Sequence, residues 1–154
     1  IPLRYHKDPD KTAKTFPVID GVRWVIPGDF ARLEEDGSVS VLGRGSVSIN
    51  SGGEKIYPEE VEAALVRHDA VFDAGVVGTP SDRWGEQVTA LVQPRPGSAV
   101  TADDLRAHCR TSMADFKVPK EIVFVEEVPR TPVGKLDYQK VRQEVLHRLS
   151  GDPQ

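Results

Sequence analysis

The sequence has one cysteine, Cys109, and four scattered histidines among its 154 residues. A single cysteine excludes an internal disulfide and a cysteine-rich zinc site, and the histidines show no metal-ligand spacing. We therefore predict no metal site, and the cysteine content fits a reducing compartment. Although His108 adjoins Cys109, neighbouring helical residues point about 100° apart, so the two cannot act as nucleophile and base. We interpret Cys109 as a buried core residue.

The sequence also lacks long apolar runs and clustered positive charge. No run approaches the roughly 18 apolar residues of a membrane span, and the opening IPLRYHKD has no signal-peptide pattern. A formal net charge of -4 argues against non-specific electrostatic binding to nucleic acid or anionic membranes. We expect a cytoplasmic protein that binds no nucleic acid and has no membrane span. Because the sequence opens on Ile1 without an initiator Met, we also expect it to be part of a longer chain.

Turn residues divide the first 46 positions into short segments. Residues 1–20 are polar, and we expect them to be irregular. Three segments that follow have the composition of short strands, namely Val22–Ile26, Phe30–Leu33 and Ser38–Leu42. The last two are joined by EEDG at 34–37, whose Asp-Gly pair favours a tight hairpin turn. GRGS at 43–46 contains two glycines and is interpreted as a linker.

Strands and helices alternate in the remainder of the chain. VSIN and EKIY flank SGG as a second hairpin, and FDAGVVG, QVTALVQ and EIVFVEEV have the composition of further strands. Three helices are indicated by their starts, at Pro58, at Thr101 with Asp104 three residues on, and after Asp137. Their expected buried faces are Val61, Ala64, Leu65 and His68; Leu105, Cys109, Ser112, Met113 and Phe116; and Val141, Val145 and Leu149. Because the strands are short and partly paired as hairpins, we predict a small α+β domain with helices packed on a mixed sheet.

Five segments, in this order, resemble the carboxyl-terminal part of the adenylate-forming superfamily of acyl-CoA synthetases, luciferases and peptide-synthetase adenylation domains. They are PGDFARLEEDGSVSVLGR at 27–44, SINSGGEKIYPEEVEAAL at 48–65, AGVVGTPSDRWGEQVTALV at 74–92, FKVPK at 116–120 and PRTPVGKLDYQKVR at 129–142. No single segment is decisive, but five in register make chance a poor explanation. The resemblance implies that residues 1–43 close a large N-terminal domain and that residues 44–154 form a small mobile domain, with a hinge near 44–47.

Three residues are assigned to the nucleotide and the hinge. On residue type alone, Asp29 is more often a turn aspartate, and Arg44 an exposed structural arginine, than a ligand-binding residue. The resemblance implies that Asp29 holds the ATP ribose and that Arg44 contacts the nucleotide. It places the hinge at Ser46, where the family often has an aspartate, and Pro27 replaces the family's usual threonine.

Five residues are assigned to coenzyme A. From the sequence alone, Gly52, Gly53 and Glu54 most simply close a hairpin turn, while Trp84 and Lys117 could be surface packing and a solvated charge. The resemblance implies that the glycine turn borders the pantetheine tunnel, where small residues let a thin thiol arm pass close to the backbone. It also implies that Trp84 contacts coenzyme A and that Lys117 contacts a phosphate.

Lys135 follows Gly134 but does not belong to a Walker loop. Such a loop would need a glycine at position 129 and a serine or threonine at 136, where the sequence has Pro129 and Leu136. A lone Gly-Lys pair is more often solvated than catalytic. The resemblance implies instead that the small domain carries the Lys135 ammonium to the substrate carboxylate and the ATP α-phosphate, where charge must be held during attack.

The resemblance implies a parent acyl-CoA ligase acting on a fatty or sterol-derived acid. Its small-molecule partners would be the carboxylic acid, ATP with Mg2+, and coenzyme A, and its large N-terminal domain would supply the phosphate loop and the acyl pocket. We therefore expect the 154 residues alone to be inactive. Two alternatives stay open: an adenylation domain that loads a carrier protein, and a non-catalytic binding module with the same fold.

Overall fold

The computed structural model describes residues 2–44 and 47–151, the side chains of residues 40 and 42–44 excepted. Its internal contacts divide the chain into two units, Ile1–Ser46 and Val47–Gln154. The position predicted as the hinge, Ser46, lies outside the described residues. The domain division and the hinge expected from the sequence therefore stay predictions.

The first unit contains one short helix and two antiparallel strand pairs. Its elements are α1 (Pro9–Thr15), β1 (Val18–Ile19), β2 (Val22–Arg23), β3 (Asp29–Leu33) and β4 (Val39–Arg44). β1 pairs with β2, and β3 pairs with β4 across the predicted turn at 34–37. The β3–β4 hairpin is confirmed.

Two expectations for this unit are wrong. Residues 1–20 are not irregular, because the Asp8 carboxylate accepts a hydrogen bond from the Lys11 N–H at 2.9 Å and starts α1. The strand expected over Val22–Ile26 stops at Arg23. Beyond it the Trp24 and Ile26 N–H groups still donate in register, to the Pro17 and Thr15 carbonyls at 2.9 and 2.8 Å. Pro17 has no N–H to donate in return, so regular strand pairing stops there.

The first unit buries little apolar surface of its own. Among its described side chains, Phe16 is the apolar one that is buried. Many large apolar side chains are exposed, namely Leu3, Val18, Ile19, Val22, Trp24, Val25, Ile26, Phe30, Leu33, Val39 and Val41. All five residues of β3 are exposed. A unit built this way has almost no hydrophobic core to stabilise it.

The second unit is built on a five-stranded mixed sheet. Its strands are β5 (Ile49–Ser51), β6 (Glu54–Ile56), β7 (Val71–Ser81), β8 (Gly85–Pro94) and β9 (Glu121–Phe124). The order is β6-β5-β8-β7, and β9 also pairs with β8. β9 runs parallel to β8, whereas the other pairs are antiparallel. The mixed sheet and the β5–β6 hairpin are as predicted. β7 and β8 are longer than the strands expected at FDAGVVG and QVTALVQ, and their pairing as a hairpin was not predicted.

Three helices cover this sheet: α2 (Pro58–Val66), α3 (Ala102–Arg110) and α4 (Tyr138–Leu149). The side chains of α2 and α3 join a core with alternate residues of β7 and β8, whereas those of α4 join a second core that includes Val77 and Leu91. Because side chains alternate along a strand, the two cores lie on opposite faces of the sheet. The predicted α+β fold is confirmed.

The helices start where they were predicted to start. The predicted buried faces of α3 and α4, however, include residues that are exposed. Thr101 and Asp104 form a reciprocal capping box, and the Asp137 side chain accepts from the Lys140 N–H. Cys109 is fully buried, as predicted. Phe116, however, is 40% exposed because α3 ends at Arg110, and Leu149 is 43% exposed in the last turn of α4.

Candidate functional site

Lys135 lies in a closed turn that connects β9 to α4. The Thr131 N–H donates to the Lys135 carbonyl at 2.7 Å, and the Gly134 N–H donates to the Thr131 carbonyl at 2.8 Å. The Lys135 N–H donates to Thr131 Oγ1 at 3.2 Å. Gly134 has a φ of +79°, a left-handed conformation that glycine adopts at little cost. The glycine before the lysine is therefore needed for the turn itself.

The Lys135 side chain is exposed. Across residues 2–44 and 47–151, no carboxylate forms an ion pair with its ammonium group. A fixed backbone thus presents a cation whose charge is not neutralised within the described part of the chain. This arrangement suits a group that meets an anion supplied from outside.

The turn is attached to β7 through Arg130. The Arg130 guanidinium donates from Nε and Nη2 to the two carboxylate oxygens of Asp73, both at 2.7 Å. Its Nη1 donates to the carbonyl of Gly134 at 2.8 Å. One guanidinium therefore joins the sheet to the residue that directly precedes Lys135.

A second acid lies behind the turn, between α2, β7 and the start of α4. Glu62 Oε1 accepts from the Val76 N–H at 2.9 Å, and the Tyr138 hydroxyl donates to Glu62 Oε2 at 3.3 Å. The pKa of Glu62 is raised to about 7, mainly by burial and also by the charge of Glu59, while the hydrogen bond from Val76 opposes the shift. Burial also raises the pKa of Tyr138, which keeps the phenol protonated as a donor. No pattern in the sequence indicates this pair.

The glycine turn between β5 and β6 lies beside Trp84. Gly52 and Gly53 have φ values of +61° and +90°, and the Gly52 N–H donates to the Trp84 carbonyl at 2.9 Å. A Cβ at Gly52 would lie 2.8 Å from Trp84 Cε3. Both backbone conformation and the nearby ring therefore require glycine at position 52.

A pocket of about 280 Å³ opens at this turn. Its lining residues are Ser51, Gly52, Glu54, Trp84, Asp115, Phe116 and Lys120. The structure thus brings together three of the residues assigned to coenzyme A, namely Gly52, Glu54 and Trp84. Gly53 lies in the same turn without lining the pocket.

The two lysines of FKVPK differ in their surroundings. Lys117 Nζ donates to both carboxylate oxygens of Glu60, at 2.7 and 2.8 Å, and its side chain is only 20% exposed. Lys120 lines the pocket, and its Nζ donates to the carbonyl of Asp115 at 3.3 Å. Sequence reasoning selected Lys117 and missed Lys120, although both stand in the same motif.

Asp29 and Arg44 lie opposite each other in the first unit. They are register partners at the open end of the β3–β4 hairpin. The pairing brings the two residues assigned to the nucleotide to one place on the backbone. The Arg44 side chain is outside what the structure describes, so its role, like that of Asp29, stays a prediction.

The Lys135 turn and the Gly52 pocket lie near opposite ends of the β7–β8 hairpin. Arg130 ties the turn to Asp73, near the start of β7, whereas Ser81 at its end pairs with Gly85 beside Trp84. Eight residue steps separate Asp73 from Ser81, which corresponds to about 26 Å at roughly 3.3 Å per step. The two candidate sites of this unit are therefore distinct.

The described residues lack two other kinds of feature. They contain no cluster of three or more His, Cys, Asp or Glu side chains that could hold a metal ion. None of their helices is both long enough and apolar enough to cross a membrane.

Comparison with known proteins gives matches to one family. A sequence model of the AMP-binding enzyme C-terminal domain matches residues 60–135. The chain is 55% identical over 152 residues to the medium/long-chain-fatty-acid--CoA/3-oxocholest-4-en-26-oate--CoA ligase of Mycobacterium tuberculosis, covering 99% of this chain and 28% of that protein. It is 58% identical over 139 residues to the 3-oxocholest-4-en-26-oate--CoA ligase of Rhodococcus rhodochrous, covering 90% and 25%.

Solved structures agree with the sequence matches. The amide bond synthetase McbA from Marinactinospora thermotolerans superposes with a TM-score of 0.79 and 35% identity, covering 92% of this chain and 28% of that one. The chain thus spans about a quarter of the length of the proteins that it matches. It belongs to the AMP-binding enzyme C-terminal domain family, and its α+β fold is that of the C-terminal domain of adenylate-forming enzymes.

Proposed function

We propose that this chain is the C-terminal part of an acyl-CoA ligase. The parent enzyme would join a fatty or sterol-derived carboxylic acid to ATP, forming an acyl-adenylate and pyrophosphate, and would then transfer the acyl group to the thiol of coenzyme A with release of AMP. Both named relatives are CoA ligases, and both align with nearly all of this chain. Because the chain spans only about a quarter of each, the activity of the whole protein is a proposal.

Lys135 is the residue to which we assign the adenylation step. As the substrate carboxylate attacks the α-phosphorus of ATP, negative charge accumulates on the oxygens around that phosphorus and on the departing pyrophosphate. An ammonium group whose backbone is already held in place would stabilise this charge with little reorganisation of the protein. The exposed side chain on a closed turn, tied to the sheet by Arg130, has the properties that this role requires.

The Gly52 pocket is the part of the domain to which we assign thioester formation. The Trp84 ring packs directly on Gly52, so the pantetheine arm of coenzyme A would pass through the pocket that both residues line, and not between them. Glu54 lines the same pocket, and Lys117 is retained from the family assignment as a residue for a coenzyme A phosphate. Its pairing with Glu60 means that this contact would first require the ion pair to open.

The remaining assignments concern the nucleotide and the movement of the domain. Asp29 would accept hydrogen bonds from the ATP ribose, and Arg44 would contact the nucleotide from the facing strand. Ser46 would be the hinge between the large and small domains. A hinge would be needed because the Lys135 turn and the Gly52 pocket lie near opposite ends of one hairpin, with about 26 Å of β7 between Asp73 and Ser81. A rotation would present them in turn to one reaction centre.

The partners follow from the same proposal. The large N-terminal domain of the parent chain would cover the exposed apolar side chains of the first unit, which has almost no core of its own. Mg2+ would arrive with ATP, since it bridges phosphate oxygens and the described residues supply no cluster for it. We place the enzyme in the cytoplasm.

The observation that carries the proposal is the closed turn that presents the exposed Lys135 ammonium. In the full-length enzyme, Lys135→Ala should slow carboxylate-dependent pyrophosphate exchange by about 10²–10³-fold, the usual cost of removing one charge that stabilises a transition state. Supplied with preformed acyl-adenylate, the variant should form the CoA thioester at nearly the parent rate. Lys140→Ala is the matched control, because Lys140 is an exposed lysine at the start of α4.

Equal losses in the two half-reactions would contradict a step-specific role for Lys135. An unchanged rate of pyrophosphate exchange would contradict its participation altogether. The same assays with a panel of acids test the substrate. Medium-chain and long-chain fatty acids should be compared with 3-oxocholest-4-en-26-oate, which the two relatives' names include.

A different acceptor is the second candidate function. The structural match to an enzyme described as an amide bond synthetase shows that this fold also occurs outside the CoA ligases. Transfer from preformed adenylate to coenzyme A should therefore be compared with transfer to a carrier-protein thiol and to simple amines. A non-catalytic binding module would bind coenzyme A or an acyl-adenylate analogue without turnover of any acceptor.

A further inference from the structure

The Lys135 turn is held at both of its ends. On one side Arg130 binds Asp73 with two hydrogen bonds of 2.7 Å and also donates to the Gly134 carbonyl at 2.8 Å. On the other side the Tyr138 hydroxyl donates to Glu62. Lys135 therefore lies between two attachments to different elements of the domain, β7 and α2.

The Arg130 attachment rests on a fixed partner. The Asp73 side chain is only 14% exposed, and its Oδ1 also accepts from the Ala74 N–H at 2.9 Å. Asp73 belongs to β7, which pairs only with β8 among the described strands, and it is the register partner of Gln93. A displacement of the Lys135 turn would have to break this network, because the third guanidinium nitrogen holds the turn's own backbone.

The geometry requires arginine at position 130. Its planar fork matches the two oxygens of Asp73 while a third nitrogen reaches Gly134, whereas a lysine has a single ammonium centre and cannot span both. All three guanidinium nitrogens already donate within the domain. Arg130 is therefore suited to hold the turn in place more than to bind a substrate phosphate.

We propose that Arg130, fixed by Asp73, is a positioning residue that sets the place of the Lys135 ammonium during adenylate formation. The inference rests on the role proposed above for Lys135. Displacing a catalytic group by about 1 Å can cost on the order of 10²-fold in rate, so loss of the attachment should be visible in kinetics even where the fold survives. Thioester formation, which uses the Gly52 pocket, should not depend on it.

The test uses the full-length enzyme and both half-reactions. Arg130→Ala should slow carboxylate-dependent pyrophosphate exchange by about 10²-fold and leave thioester formation from preformed adenylate near the parent rate. Arg130→Lys should recover little, because it restores the charge without the fork. Arg148→Ala is the matched control, since Arg148 pairs with Glu144 at 2.6 Å on the surface of α4. It should leave both rates unchanged.

A double variant separates positioning from other roles. If Arg130 acts through Lys135, Arg130→Ala should slow pyrophosphate exchange no further in a Lys135→Ala background. A further loss there would show that Arg130 acts independently, and equal losses in both half-reactions of the single variant would show a general structural role. Either result overturns the inference, as does a parent-like rate for Arg130→Ala.

Two further outcomes distinguish a failure of this inference from a failure of the role proposed for Lys135. If Lys135→Ala slows only adenylate formation and Arg130→Ala keeps the parent rates, only the positioning role of Arg130 is contradicted. If Lys135→Ala slows neither half-reaction, the proposed function is contradicted as well. Should Arg130→Ala fail to fold, Asp73→Asn replaces it. The amide keeps an oxygen for the Ala74 N–H but loses the charge that holds Arg130, and it should show a smaller loss confined to adenylation.

Discussion

Glu62 gives a quantitative prediction about stability, because its carboxyl is ionisable and partly buried. Its pKa is raised from 4.5 to about 7. Burial is the largest cause, the carboxylates of Glu59 and Asp73 act in the same direction, and the Val76 N–H and the Tyr138 hydroxyl oppose the shift. The cation Arg130 interacts electrostatically with Glu62, but its hydrogen bonds go to Asp73. The folded protein therefore favours the protonated form of Glu62 more than the unfolded chain does.

The sign of the pH dependence follows from that difference. Below the unfolded pKa of 4.5 the carboxyl is neutral in both states and contributes no penalty. As pH rises towards about 7 the unfolded chain releases the proton first, so the free energy of unfolding falls, and the loss is complete above the folded pKa. At about 1.4 kcal/mol per pKa unit the full loss is about 3 kcal/mol. Partial exposure reduces the expected value to roughly 1–3 kcal/mol.

Glu62→Gln removes the ionisation and keeps an oxygen that can accept from the Val76 N–H. Urea unfolding of parent and variant at pH 5, 6, 7 and 8 should show similar stability at pH 5 and a more stable variant at pH 8, by roughly 1–3 kcal/mol. Glu144→Gln, at a surface pair with Arg148, should show no such growth with pH. A difference that stays constant with pH, or a parent that is more stable at pH 8, would refute the reasoning.

Four further results are expected. Gly52→Ala should slow thioester formation more than pyrophosphate exchange, and should lower the free energy of unfolding by about 1–3 kcal/mol, because φ is +61° and Trp84 is too close for a Cβ. The purified 154-residue chain should show no carboxylate-dependent pyrophosphate exchange, and robust exchange would contradict a site shared with a second domain. Ser46→Pro in the full enzyme should slow one half-reaction far more than the other, since a fixed φ would favour one domain arrangement. Equal, parent-like rates would place the hinge elsewhere. Lys120→Ala should raise the KM for coenzyme A more than Lys117→Ala does, and the reverse order would contradict the surroundings seen for the two lysines.

The fold of the second unit could be predicted because its signals are local. Thr101 and Asp104 are three residues apart and form the capping box that their spacing predicts, and Asp137 caps the helix that follows it. The first unit was harder. α1 has only seven residues and no buried side chain, so it leaves no apolar periodicity in the sequence. Its start is marked by the Asp8 cap and by Pro9 in the first turn, but no apolar face follows them.

Only those parts of the candidate site that stand in short sequence motifs could be predicted. Lys135 and the Gly52 turn stand in short segments whose chemistry can be interpreted locally. The groups that hold Lys135 in place are distant in the sequence: Arg130 and Asp73 are 57 positions apart, and Glu62 and Tyr138 are 76 apart. Only the packing of α4 and its preceding turn against β7 and α2 brings them together. Nothing in a single sequence distinguishes these acids from solvated ones.

The two lysines of FKVPK show why a motif alone does not identify the binding residue. Lys117 makes two hydrogen bonds to the Glu60 carboxylate, so a phosphate could recruit it only by separating a partly buried ion pair. Lys120 makes one hydrogen bond of 3.3 Å to the Asp115 carbonyl and already lines the pocket. Turning its ammonium towards an incoming phosphate therefore costs less, although the residue type and the motif are the same. The acid on the facing helix, which the motif does not include, decides which lysine is available.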